Sequence, residues 1–201
     1  MSDGSEPAPW AKIPKLIVFD LDFTLWYPEM YELAGAPFRR NKAGVVTARD
    51  GEEVHLFDHV HAVLNEIATA PAFASTEVAV ASSTTYPHWA RDCMGLIHVR
   101  TDEAKKPKGK KPPSPRVLHS FIDYQAIYPK NKQVHFKQLH EESGVAYEDM
   151  LFFDNEHYNI VNVQRLGVVC AYCPDGLTLA VWKEGMERFQ TKAALDDTSD
   201  Y

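Results

Sequence analysis

The chain is short of cysteine, of positive charge and of long apolar runs. Three cysteines stand among 201 residues, Cys93, Cys170 and Cys173, an odd number that cannot close completely into disulfides. The first residues lack the basic start and apolar centre of a secretory leader. Free thiols in a reducing, cytoplasmic setting are therefore expected, with the nucleus as a second candidate compartment. Lysine and arginine number 21 against 28 aspartate and glutamate, a formal net charge of -7. That balance opposes the attraction that nucleic acids and membrane surfaces require, so neither is expected as a partner of the whole chain. No apolar stretch approaches the roughly 20 residues needed to span a bilayer, because Lys, Asp, Pro or Gly interrupts each one. No internal repeat is visible.

What is present is a chain that is 45% hydrophobic, long enough for one sizeable core and too short for two full domains. Residues 1–13 and 193–201 read as frayed tails around one domain over 14–192, and a monomer is expected. Short apolar runs alternate with helical patterns, the arrangement of a parallel sheet covered by helices on both faces. The runs are Leu16 to Phe19, Val78 to Ala81, Tyr124 to Ile127, Met150 to Phe153 and Val168 to Tyr172. Helices are predicted after Asp58 as N-cap, from Tyr86 to a stop at Gly95, from Lys132 to Ser143, from Ile160 to Leu166, and through Trp182. Asp50-Gly51 between two short strands marks a hairpin flap over about 43–57. The stretch 101–117 carries Lys105, Lys106, Lys108, Lys110 and Lys111 among prolines, so it reads as a solvated mobile loop, with a nuclear-targeting patch as the rival reading.

In such a sheet, ligands gather at the carboxyl ends of the strands. Three runs end on a polar residue: Asp20, Ser82 and Asp154. Asp20 and Asp22 stand two apart, and on an extended chain they would share one side and repel each other unless a cation lies between them or one is protonated. A divalent metal resolves that conflict, and Mg²⁺ suits an oxygen-rich donor set better than Zn²⁺. Phosphoryl transfer asks for a nucleophile, a proton donor, a metal and groups that hold the nonbridging oxygens. Asp20 is the candidate nucleophile and Asp22 the candidate acid and base. Ser82, with backbone N–H groups near Ser83, is the candidate phosphate contact.

The run Val18-Phe19-Asp20-Leu21-Asp22-Phe23-Thr24-Leu25-Trp26 resembles the first motif of the haloacid dehalogenase superfamily. Together with Ala79 to Thr84, Ile127 to Gly144 and Met150 to Gly176, the chain resembles that superfamily's capless magnesium-dependent phosphatases. The resemblance implies a Rossmann-like three-layer α/β/α fold with a mostly parallel sheet and a small β-hairpin flap. It also implies an aspartyl-phosphate intermediate, Ser82 on the phosphate, and Lys132, with Lys130 as rival, as the third motif's lysine. The metal set it implies is Asp20, Asp22 and Asn155, with Asp154 assisting from the same loop. Asn155 stands where the family usually has aspartate, and Ser83 where it usually has arginine. Phosphotyrosine proteins or sugar phosphates are the implied substrates. A phosphotransferase or mutase, and a weakened phosphopeptide binder, are the alternatives.

Cys170-Ala171-Tyr172-Cys173 has redox-motif spacing but follows a strand, so a structural role is expected. His157 lies near Asp154 and is a candidate for the crevice, while Trp26 and Tyr27 are expected to pack the flap, with lining a substrate entrance as the rival reading.

Overall fold

A computed structural model describes residues 10–100 and 115–198. The first strand, β1 (Leu16–Phe19), has every residue buried, as a run without polar alternation requires when both faces of a sheet are covered. It lies in a five-stranded sheet with β6 (Glu77–Ser82), β9 (Tyr124–Ile127), β10 (Met150–Asp154) and β11 (Val169–Tyr172), in the order β11-β10-β1-β6-β9. All four ladders are parallel. Successive β1 side chains point to opposite faces. Ile17 and Phe19 join a core with α1 (Asp58–Thr69), α2 (Pro87–Leu96) and α5 (Leu179–Thr198), whereas Leu16 and Val18 join a second core with α3 (Lys132–Ser143) and α4 (His157–Gln164). The result is the expected three-layer α/β/α fold.

The flap is larger than one hairpin. Two strands, β4 (Val46–Thr47) and β5 (Glu53–Leu56), do form the hairpin around Asp50-Gly51. They are flanked by β2 (Trp26–Tyr27) and β3 (Arg39–Arg40) in an antiparallel sheet ordered β2-β5-β4-β3. Two-residue strands carry too little pattern to be read locally. A second small ladder joins β7 (His98–Val99) to β8 (Arg116–Val117). The rest of the expected loop over 101–117, including its lysines, lies outside the described residues.

Several boundaries move. Asp58 is the first residue of α1, not its cap, and its carboxylate takes a hydrogen bond from Arg100. Gly95 lies inside α2, which ends one residue later. Helix α4 begins at His157, three residues earlier than predicted, and α5 continues well past Trp182. Of the expected N-terminal tail, Trp10 and Ile13 pack against the first core, and the Ala11 N–H donates to Gln190. Among the described residues, no helix is long and apolar enough to cross a membrane.

Candidate active site

Parallel register brings the strand ends together. Phe19 pairs with Phe153 on one side and Val80 on the other, so Asp20 and Asp154 leave the sheet side by side with Ser82 just beyond. A cleft of about 240 Å³ opens there, lined by Asp20, Asp22, Ser82, Ser83, Lys132 and Asn155, with Glu29 and Tyr31 on its rim. A larger hollow of about 410 Å³ lies against Tyr27, His55 and Arg100 and contains none of the strand-end residues.

Lys132 organises the floor. It is buried at the first turn of α3, where the Asn131 side chain caps the helix by accepting from the Gln133 N–H at 2.8 Å. Its ammonium pairs with Asp20, donates to the Ala81 carbonyl, and reaches Asp154 Oδ2 at 3.1 Å. Lys130, the rival in the sequence, is exposed, and its carbonyl accepts from Ser83 Oγ at 2.9 Å. Ser83 thus ties α3's approach to the β6 loop through its hydroxyl. Ser82 is buried, and its Oγ accepts weakly from the Thr84 N–H at 3.4 Å.

Asp154 differs from the expected arrangement. It is fully buried and not part of the cleft wall. Oδ1 accepts from the Glu156 N–H at 2.7 Å, and Asn159 Nδ2 spans both oxygens at 3.2 and 3.1 Å. With Lys132 on Oδ2, each carboxylate oxygen has two partners, and Asp154 holds the lysine. Asn155 does face the cleft. Its Oδ1 accepts from Thr24 Oγ1 at 3.3 Å while the Thr24 oxygen accepts from the Asn155 N–H at 3.0 Å.

The loop after Asp20 is not extended. Thr24, Leu25 and Trp26 all direct their N–H groups to the Leu21 carbonyl, and Phe23 sits at φ 56. For a bulky aromatic this is an outlier, and such conformations concentrate at functional sites. The turn carries Asp22 to the cleft, where its Oδ1 accepts from the Trp26 indole N–H at 2.7 Å.

Charge follows from this geometry. Burial pushes the Asp20 carboxyl up to about 8, with Lys132 opposing the rise and Asp154 and Asp22 adding to it. Burial also raises Asp22, against the hydrogen bonds from Trp26 and the Met30 amide. Burial works against the Lys132 charge, yet Asp20 and Asp154 outweigh it and hold its pKa above the usual value. The ammonium stays charged, and the carboxylates bear the expense of desolvation. Once all three carboxyls ionise, Asp20, Asp22 and Asp154 bring three negative charges against the single positive charge of Lys132. The remaining two match a divalent cation. Among the described residues no three His, Cys, Asp or Glu side chains gather as a metal site. A set built from the Asp20 carboxylate, the Asp22 backbone carbonyl and Asn155 Oδ1 is nevertheless all oxygen, as Mg²⁺ prefers.

The chain matches the Acid Phosphatase family over residues 12–192. It belongs to that family. It is 31% identical to human "Magnesium-dependent phosphatase 1" over 179 residues, 89% of each chain. A HAD-like hydrolase superfamily protein of Schizosaccharomyces pombe is 34% identical over 159 residues, covering 78% of this chain and 84% of the relative. Among solved structures, a HAD family enzyme of Bacteroides thetaiotaomicron is similar in fold, with a TM-score of 0.52 at 16% identity over 84% of this chain and 97% of that one. That structure is an aspartate-to-alanine variant in complex with magnesium and inorganic phosphate. The protein is thus a phosphatase of the magnesium-dependent group in the haloacid dehalogenase superfamily.

In this phosphatase, Cys170 and Cys173 are buried, and burial pushes both thiols up, as fits packing residues. His157 packs edge-on against Tyr172 and does not line the cleft. Trp26 is buried, while Tyr27 is two-fifths exposed. Thr24, Trp26 and Asn159 escaped the sequence reading as site residues. Thr24 and Trp26 stand within the first motif, but Asn159 is recognisable only once α4 is folded against Asp154.

Proposed function

We propose that the phosphatase hydrolyses phosphate monoesters by way of a phosphorylated Asp20. The observation that carries this reading is Lys132, buried between Asp20 and Asp154 at the floor of an open cleft. An Asp20 oxygen bonds to phosphorus as the bond to the leaving oxygen breaks, and Asp22 in its acid form gives that oxygen its proton. Asp22, now a carboxylate, takes a proton from water as the water oxygen attacks phosphorus. Asp20 is released, Asp22 is protonated again, and inorganic phosphate departs. Ser82 and the amides around Ser83 and Thr84 hold nonbridging oxygens, and Lys132 orients Asp20 and offsets its charge. Asp154 and Asn159 fix Lys132. Asp20, the Asp22 carbonyl and Asn155 would hold Mg²⁺, which when bound neutralises charge on the phosphoryl oxygens.

The insertion between β1 and α1 is a flap and not a covering domain, and among the described residues the cleft is open to solvent. This supports phosphorylated small molecules, sugar phosphates among them, and phosphotyrosine proteins as substrate classes. Buried free thiols favour a reducing compartment such as the cytoplasm. Hydrolysis of 4-nitrophenyl phosphate with and without Mg²⁺, in the parent and Asp20→Asn, tests the reading. Turnover should require Mg²⁺ and fall at least about a thousandfold in the variant. Full activity in Asp20→Asn would rule out the covalent route.

A further inference from the structure

The buried indole of Trp26 reaches the cleft through a hydrogen bond to Asp22. Trp26 is wholly buried, its Nε1 donates to Asp22 Oδ1 at 2.7 Å, and its backbone forms an isolated bridge with Asp22. On its other side Trp26 pairs with Leu56 of the flap sheet. A buried indole usually finds an acceptor, and packing alone would explain some acceptor. Trp182 uses Glu66 for this at 3.1 Å, and Trp10 has no partner for its buried N–H among the described residues. Satisfaction of a donor therefore does not require a carboxylate in the cleft. The strained turn at Phe23, closed by the Phe23 N–H on the Trp26 carbonyl at 2.8 Å, is what brings the two side chains together.

We propose that Trp26 is a positioning residue for proton transfer, fixing the Asp22 carboxyl so that Oδ2 carries the proton given to the leaving group. This rests on the reading of Asp22 as acid and base. The indole engages Oδ1 and the Met30 amide also bonds to this carboxyl, and we assign the proton and the substrate to Oδ2. When that proton moves to the leaving oxygen, the phosphorus–oxygen bond breaks and Asp22 becomes a carboxylate. The indole N–H bonds more strongly to that carboxylate than to the acid. The interaction thus strengthens toward the transition state, which is the condition for accelerating a step. Its benefit depends on the leaving group. An alkoxide needs the proton, whereas 4-nitrophenolate leaves without much help.

The discriminating measurement is kcat/KM for an alkyl phosphate, 2-phenylethyl phosphate, beside 4-nitrophenyl phosphate, both with saturating Mg²⁺. Trp26→Phe keeps most of the buried ring and removes the N–H. The alkyl ester should lose at least about tenfold more than the aryl ester. Because Phe leaves a small gap, a second protein carrying 3-benzothienylalanine at position 26 keeps the shape without the N–H, and it should show the same selective loss. Equal losses on both esters, or no loss with the benzothienyl side chain, would overturn the positioning role. Asp22→Asn separates this from the underlying mechanism. If it shows no selective loss on the alkyl ester, Asp22 is not the proton donor and both readings fall. If it does while the position 26 variants do not, only the inference about Trp26 falls.

Discussion

Asp20 is buried where a lone carboxylate would be costly, and the residues around it show how the cost is met. Lys132 lies between Asp20 and Asp154, and removing one member of a buried ion cluster leaves the others unpaired. Lys132→Met should therefore lose about 3–5 kcal/mol in urea unfolding, and adding Asp154→Leu to it should recover part of that loss. If the single variant unfolds like the parent, Lys132 is not the keystone of the floor. Asn155 offers a neutral carbonyl where a carboxylate would attract a cation more strongly. Asn155→Asp should tighten Mg²⁺ binding roughly tenfold, a charge–charge interaction of about 1.4 kcal/mol, as read by calorimetric titration. Unchanged affinity would remove Asn155 from the metal set. These roles were only partly legible beforehand. Asp20, Ser82 and Asp154 announce themselves as polar ends of apolar runs, whereas the choice of Lys132 over Lys130 depends on which lysine the first turn of α3 points inward.

Whole elements show the same division. The five sheet strands are visible as short apolar runs because both faces of a central parallel sheet are dry. Helix ends are harder to read, because glycine has more than one use. Gly144 does end α3 at φ 71, a left-handed conformation that suits glycine. Gly185 instead lies inside α5, where a Cβ would come within 2.7 Å of the Phe153 ring and 3.1 Å of Ala171 Cβ. Phe153 cannot easily yield, since Phe19 stacks on it at 5.4 Å and Trp182 lies at 5.6 Å. Alanine gains about 1 kcal/mol in helix propensity, but overpacking costs about 1–3 kcal/mol, and the boxed ring puts the cost at the upper end. Gly185→Ala should lower the thermal midpoint. A rise would mean that α5 can move off the sheet freely. The flap sheet was half seen, since β4 and β5 bracket an obvious turn while β2 and β3 are two residues each and exist only through their partners.

At the scale of the whole molecule, the electrostatics of the cleft and of two desolvated histidines pull stability in opposite directions with pH. Burial holds the folded Asp20 carboxyl at about 8, above its ordinary 3.8, so its contribution is full below about 3.8 and is lost as pH rises toward 8. Burial lowers His61 and His135 to about 4 from 6.5. Their contribution is full above 6.5 and is lost as pH falls toward 4. Above pH 6.5 the histidines no longer act, while Asp20, with Asp22 raised in the same direction, continues to lower stability as pH rises. Without metal, the urea midpoint should peak near about pH 6.5, and Mg²⁺, which favours the ionised carboxylates, should raise it most toward pH 8. A metal-free midpoint still climbing from pH 6.5 to 8 would show that Asp20 is ionised throughout.

By itself the sequence determined the α/β class, the strands of the sheet, the acidic pair after β1 and the phosphatase family, because each is written in a local run or a short motif. The tertiary structure decided which lysine reaches Asp20, that Asp154 holds that lysine and does not line the cleft, and that Trp26 meets Asp22. Those pairings join residues up to 112 positions apart, as Lys132 and Asp20 are, or turn on a strained loop. Distance and side-chain direction arise only when the strands are set in register.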